Sequence, residues 1–195
     1  MGSKRLLLMN GLGDLVLREA ARSDRFVDLF TGTGSVAAHV AEQVAVPVLA
    51  VDLQEYATVL AGSVIERTKP LRPQVVQDQW LDRASRSARR FKVPPSLQTP
   101  ETLTVAHVKR VRSNLAAERS SGLMWASYAG HYYSPEQAVA FDSMMRALPS
   151  EEPLRRVCLS AIIGAAMKCA AAPGHTAQPF QPTKSSIEHI ASAWH

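Results

Sequence analysis

The sequence is poor in cysteine. There are two in 195 residues, Cys158 and Cys169, both within one Ala-rich apolar segment. That number and spacing exclude a disulfide-stapled secreted scaffold and match no structural metal pattern, so both are read as buried free thiols. No apolar run approaches the roughly 18 residues that a membrane span requires. The opening "MGSKRLLLMNGLGDLVL" starts basic, but its apolar run from Leu6 to Met9 is broken by Asn10, Gly11 and Gly13, with Asp14 close behind. Without a small-residue cleavage site, this is not a signal peptide, and a cytoplasmic protein with no membrane partner is expected. His107, His175, His189 and His195 show no ligand spacing, so no metal is expected. No internal repeat and no legible Ser-His-Asp arrangement is present.

What is present suits one soluble domain with room for a small insertion: 46% apolar residues, 20% charged, and length enough for a real core. The net charge of +5 is unevenly placed. Residues 80–120 hold nine basic and three acidic side chains, so this window carries the excess and the remainder is close to neutral. A local basic block points to a polyanion. Arg83, Arg86, Arg89 and Arg90 have helical spacing that lines one face towards phosphates, and Lys109, Arg110 and Arg112 form a second cluster. Trp80 and Trp125 flank the block, placed either to stack on bases or to anchor the segment in the core. His131, beside Tyr132 and Tyr133, is read as a packing residue rather than a nucleotide contact.

Periodicity predicts a helix over residues 4–22, a strand over 26–30, a glycine turn, a helix over 35–43, a strand over 46–51 ending at Asp52, and a helix over 54–68. The last is expected to bury Tyr56, Val59, Leu60, Val64 and Ile65. This β-α-β-α order opens a parallel, doubly wound sheet. The organisation expected is a β-α-β-α unit over 1–69, a basic inserted segment over 70–126, irregular or helical, and a helical segment over 127–195. In the last, Ser134 caps a helix that begins at Pro135 and buries Ala138, Phe141, Met145 and Leu148. A second helix opens at Pro153 and ends near Ala171, buried along its apolar second half. A final helix starts at Lys184.

The stretch "RFVDLFTGTGSVA" carries the chemistry. A strand, a tight glycine turn and a helix N-terminus make a site for an anion or an adenosine cofactor. "GTGSVA" satisfies G-x-G-x-x-A, and Asp52 lies 18 residues past Gly34, where an acid can hold ribose hydroxyls. No Gly-Lys-Ser/Thr follows, so this is no P-loop. A nicotinamide cofactor is a fair first reading, but Asp28 sits within the strand, where a carboxylate suits a ligand bearing an ammonium group. Phe30 offers an aromatic face near a sulfonium or adenine. The pattern F-x-D-x-F-x-G-x-G therefore favours S-adenosylmethionine. Asp28 satisfied by turn amides and Asp52 as a helix cap are the structural alternatives.

At these residues the sequence resembles the Dam-like, class-alpha DNA adenine-N6 methyltransferases. "GSK" at Gly2, Ser3 and Lys4, "FVDLFTGTGSVA", "VDLQEYA" and "GHYYSPEQAVAFDSMMRAL" resemble that family's motifs in order. The resemblance implies a Rossmann-like S-adenosylmethionine fold of the α/β class. It also implies cofactor contacts from Gly2, Ser3, Lys4, Asp28, Phe30, Gly32, Gly34 and Asp52, with Leu53 packing on the adenine. The family's catalytic Asp/Asn-Pro-Pro-aromatic tetrapeptide is missing; the single Pro-Pro pair, Pro94-Pro95, follows Val93 and precedes Ser96. The sheet is thus expected to be incomplete in this chain. The favoured reading is a split enzyme, with a second subunit carrying the tetrapeptide and double-stranded DNA as substrate; the start at "MGSK" and an end after a complete helix agree with it. A truncated longer enzyme, a non-catalytic DNA-binding or regulatory protein and, more distantly, an NAD-dependent oxidoreductase are the other readings.

Overall fold

The computed structural model describes residues 4–174 and 177–195, with the backbone alone for Lys4 and Arg5. The chain divides into two compact units: Met1–Arg72 with Ser150–Ser160, and Pro73–Pro149 with Ala161–His195.

In the first unit, α1 (Lys4–Leu7) runs through a π-helical turn (Leu8–Leu12) into α2 (Gly13–Ala20). The single helix expected here is kinked, because Asn10 leaves helical geometry and Gly11 adopts φ +91°. A positive φ costs an L-residue with a Cβ about 1–2 kcal/mol, which glycine avoids. β1 (Phe26–Asp28) leads through the glycine turn to α3 (Ser35–Gln43), then β2 (Val48–Ala50) and α4 (Glu55–Ile65). The strands pair in parallel, Phe26 with Val48, Val27 with Leu49 and Asp28 with Ala50. Both are shorter than periodicity suggests, and among the described residues the sheet has these two strands only. The architecture is mixed α/β.

α4 buries a face different from the expected one. Ala57, Ala61, Gly62 and Ser63 are inside, while Tyr56 and Val64 are exposed. The reason is close approach on both sides. A Cβ built on Gly34 would lie 2.7 Å from the Ala61 Cα, and one on Gly62 would lie 2.6 Å from Nη1 of Arg156. Arg156 crosses α4 at that glycine and pairs with Glu66. Small residues are what this face can hold.

The second unit is helical: α5 (Pro73–Val76), a π-helical turn (Gln77–Leu81), α6 (Asp82–Ala88), α7 (Val105–Asn114), a 3₁₀ turn (Leu115–Ala117), α8 (Leu123–Tyr128), α9 (Pro135–Arg146) and α11 (Ile187–Trp194). α10 (Leu154–Cys169) begins in the first unit and ends in the second. The core gathers Leu97, Val108, Val111, Trp125, Ala138 and Ile190, all nearly inaccessible. The Ser134 cap forms a full capping box: Gln137 N–H donates to Ser134 Oγ at 3.2 Å, and Ser134 N–H donates to Gln137 Oε1 at 3.0 Å. Both reciprocal bonds satisfy donors that a helix start leaves open.

Met145 is exposed, against expectation, while α9 buries Asp142. That buried carboxylate accepts bonds from the Ser121 hydroxyl at 2.6 Å, Met124 N–H at 2.9 Å and Trp125 N–H at 3.1 Å, fastening the start of α8. Trp80 and Trp125 are both buried, and the Trp80 indole donates to the Met144 carbonyl at 3.0 Å. They anchor the basic segment and do not stand ready for bases. The second half of α10 is not buried as expected, since Ala161 and Met167 face solvent, and the final helix begins at Ile187, not Lys184.

Of the two thiols, Cys158 is inaccessible and burial pushes its pKa up to about 11, whereas Cys169 is half-buried. The thiolate is the reactive form, so iodoacetamide at pH 8 should add one group to the native protein, at Cys169, and two after denaturation. Intact-mass measurement checks this; early labelling of Cys158 would contradict the packing.

Candidate functional site

The two strands run in parallel, so their carboxyl ends lie side by side, and each is followed by residues rich in ligand chemistry. Asp28 ends β1, and its Oδ2 is buried without a hydrogen-bond partner among the described residues. Leaving a carboxylate oxygen so placed is costly unless something else satisfies it. Phe30 follows, 75% exposed.

The glycine turn is built next to these residues. Thr31 is fully buried, and its N–H donates to the Val51 carbonyl at 3.1 Å, tying the turn to the end of β2. Gly32 and Gly34 adopt φ +54° and +77°, values that suit glycine. Asp52 braces the turn from the neighbouring strand. Its Oδ2 accepts from Gly32 N–H at 2.9 Å and its Oδ1 from Gln54 N–H at 3.0 Å, beside the start of α4. A carboxylate has about four acceptor positions, so bracing the turn and holding a ribose hydroxyl are compatible. Leu53 stands 98% exposed immediately after it.

The structure therefore brings together Asp28, Phe30, Gly32, Gly34, Asp52 and Leu53 at one end of the sheet. Gly2 and Ser3 lie outside the described residues, as does the side chain of Lys4. Sequence reasoning missed Thr31, whose Oγ1 is also buried without a partner among the described residues. A small polar residue ahead of the first turn glycine was the available signal. His39 on α3 is likewise missed; its Nε2 is buried without such a partner, 3.0 Å from where a Cβ on Gly13 would stand.

The donor set fits S-adenosylmethionine. A buried, unsatisfied carboxylate oxygen suits an ammonium group, a strand-end acid suits ribose, and exposed Phe30 and Leu53 suit an adenine. Among the described residues, no cluster of three or more His, Cys, Asp or Glu has metal-binding placement, and no helix is long and apolar enough to cross a membrane.

The basic residues belong to the second unit. Arg83 and Arg86 lie on α6, Arg89 and Arg90 in the turn directly after it, and all four are exposed, as are Lys109 and Arg110 on α7. Arg112 departs from the group. Its Nε donates to the Gly130 carbonyl at 2.7 Å and its Nη2 to the Phe180 carbonyl at 2.9 Å, so it joins chain segments within the fold. Arg110 Nη2 reaches His107 Nδ1 at 2.7 Å. His107 is buried; burial first, then the Arg110 charge, lowers its pKa below the usual 6.5, against smaller opposing effects of Glu136 and the Gln98 backbone. His131 shifts the same way, through burial and Arg112.

A histidine held neutral in the fold takes its proton first in the unfolded chain. Stability is therefore complete above about pH 6.5 and falls as pH drops from there through the lower folded pKa. The denaturation midpoint of His107→Gln should fall less steeply than that of the wild type between pH 6.5 and 5. Parallel pH profiles would contradict the assignment.

This geometry defines a class, an α/β unit whose paired strand ends and glycine turn suit an adenosine-type cofactor. Residues 1–91 match the family model described as D12 class N6 adenine-specific DNA methyltransferase. The match spans the first three motifs of the Dam-like resemblance and bears it out; "GHYYSPEQAVAFDSMMRAL" lies beyond the matched residues. No curated protein and no solved structure matches the chain.

Proposed function

We propose that this chain is the cofactor-binding and DNA-contacting half of an adenine-N6 DNA methyltransferase, of the kind used in restriction-modification or defence. The fold would be a Rossmann-like methyltransferase sheet completed by a second subunit that carries Asp/Asn-Pro-Pro-aromatic. The carrying observation is the placement of Asp28 and Asp52 at adjoining carboxyl ends of parallel strands, around Gly32 and Gly34 and within the segment matched by the family. In open α/β sheets, ligands bind outside the carboxyl ends of the strands.

S-adenosylmethionine, when bound, supplies an electrophilic methyl group to the amine of an adenine flipped from the duplex. The work of this chain is binding and orientation. Asp28 takes the ammonium group, Asp52 the ribose while holding the turn, and Phe30 and Leu53 the adenosine. The main chain at Gly32 and Gly34 allows close approach. Orientation and fixed electrostatics then carry the rate, with no covalent enzyme intermediate.

The state of the sheet supports a partner. Parallel strands are normally covered on both faces, and a two-stranded sheet is marginal alone. Here Leu29, Leu49 and Val51, in or next to the strands, are exposed, with 61%, 52% and 39% of their surface open. A further strand and its helices would cover such a surface. The exposed basic residues of the second unit also fit a second reading, a DNA-binding or regulatory protein without activity.

Titration calorimetry on the chain, in whatever assembly it purifies as from its source, separates the cofactor readings. Heat with S-adenosylmethionine and none with NAD is expected. Binding of NAD alone would overturn the methyltransferase assignment, and no binding of either would favour the regulatory reading.

A further inference from the structure

Three chain segments of the second unit meet around an open cleft of about 370 Å³. Ser87 comes from α6, Arg90 and Phe91 from the turn after it, Arg119 and Ser121 from the loop before α8, and Arg146 from the last turn of α9. Every charged side chain lining it is an arginine. Arg119, Arg146, Ser87 and Ser121 belong to neither basic cluster legible in the sequence.

The three guanidiniums are not alike. Arg146 is held: its Nε donates to Ser87 Oγ at 3.4 Å, its Nη2 to Ser143 Oγ at 3.1 Å, and its Nη1 to the Ser121 carbonyl. It thereby fixes the walls of the cleft. The side chains of Arg90 and Arg119 form no hydrogen bond or ion pair among the described residues, and both are exposed. Phe91, beside Arg90, is pinned by an edge-to-face contact with the buried Trp125, ring centroids 5.1 Å apart. The nearby Asp142 does not neutralise the cleft by direct pairing, because its oxygens take the Ser121 hydroxyl and the Met124 and Trp125 amides.

Two open guanidinium forks, a third held in place, hydroxyls and one aromatic face make a receptor for a tetrahedral oxyanion whose attached group can pack against a ring. Guanidinium forks match phosphate oxygens in pairs. The exposed Arg86 and Arg89, on and just after the same helix, extend the positive surface. We infer that the cleft of Arg90, Arg119 and Arg146 binds a backbone phosphodiester of double-stranded DNA, with Phe91 against the attached sugar. This rests on the DNA reading above, and it places a phosphate at a defined site where a diffuse basic face would not.

The test compares the full-length chain with R90A/R119A. Both side chains are exposed and unbonded, so the variant should keep its fold, which circular dichroism verifies. Anisotropy of a labelled duplex is followed over a salt series. If the cleft holds a phosphate, the variant's log-log salt slope should be shallower by about 0.9 for each phosphate it no longer neutralises. A variant with the wild-type slope and affinity overturns the site. Inorganic pyrophosphate in a thermal-shift assay forms the second arm. If the wild-type chain binds no duplex but is stabilised by pyrophosphate, and R90A/R119A is not, the anion cleft stands, its ligand is a free phosphate compound and the DNA reading fails. If the wild type responds to neither probe, the cleft is no phosphate site.

Discussion

Asp28→Ala is expected to weaken S-adenosylmethionine binding by roughly thirtyfold, about 2 kcal/mol, without lowering the melting temperature. A hydrogen bond to a charged group contributes about 1.5–3 kcal/mol, and the ammonium group of the cofactor would lose the carboxylate proposed to hold it. The second half of the expectation is the diagnostic one. Asp28 Oδ2 is buried and makes no hydrogen bond among the described residues. Removing an unsatisfied buried oxygen relieves a cost instead of creating one. A purely structural aspartate would behave oppositely, its loss destabilising the fold and affecting the ligand only through unfolding. Calorimetry beside a melting curve separates the two. Unchanged affinity, or a fallen melting temperature with affinity retained among folded molecules, would remove Asp28 from the site.

Gly34→Ala should be the most destabilising single change in the first unit, at roughly 2–5 kcal/mol. Two effects combine. The residue sits at φ +77°, which costs an alanine about 1–2 kcal/mol. The new methyl would stand 2.7 Å from the Ala61 Cα and 3.0 Å from its Cβ, so α4 must move away, at about 1–3 kcal/mol more. Gly11 separates the two effects. Its φ is +91° but nothing lies within 4 Å of an added Cβ, so Gly11→Ala should show the backbone cost alone. Urea midpoints of the two variants give the comparison. Equal losses would mean that Gly34 is needed for its backbone only and that its approach to α4 carries little.

Both residues were legible in the sequence, for a reason that also explains what was not. Asp28, Gly32, Gly34 and Asp52 stand at fixed offsets around a turn, and local chain geometry dictates such offsets. The Ser134 cap is local too, and it is present as expected. The buried face of α4 was not legible. Apolar periodicity selects Tyr56 and Val64, but what decides is the approach of Gly34 on one side and Arg156 on the other, both distant in sequence. The burial of Asp142 was not legible either, because it rests on bonds from amides 17 and 18 residues away. Arg112 looked like its neighbours and differs through its bonds to the carbonyls of Gly130 and Phe180. Charge can be counted from sequence, but the partner that occupies it cannot.

One purification separates a divided methyltransferase from a lone binding protein. The chain is purified from its own source at native expression. Whatever accompanies it is identified by mass spectrometry, and the assembly is incubated with duplex DNA and S-adenosylmethionine labelled in the methyl group. The expected result is a stoichiometric partner containing Asp/Asn-Pro-Pro-aromatic, with label recovered as N6-methyladenine. A chain that purifies alone, folded, and transfers no label to DNA would contradict it.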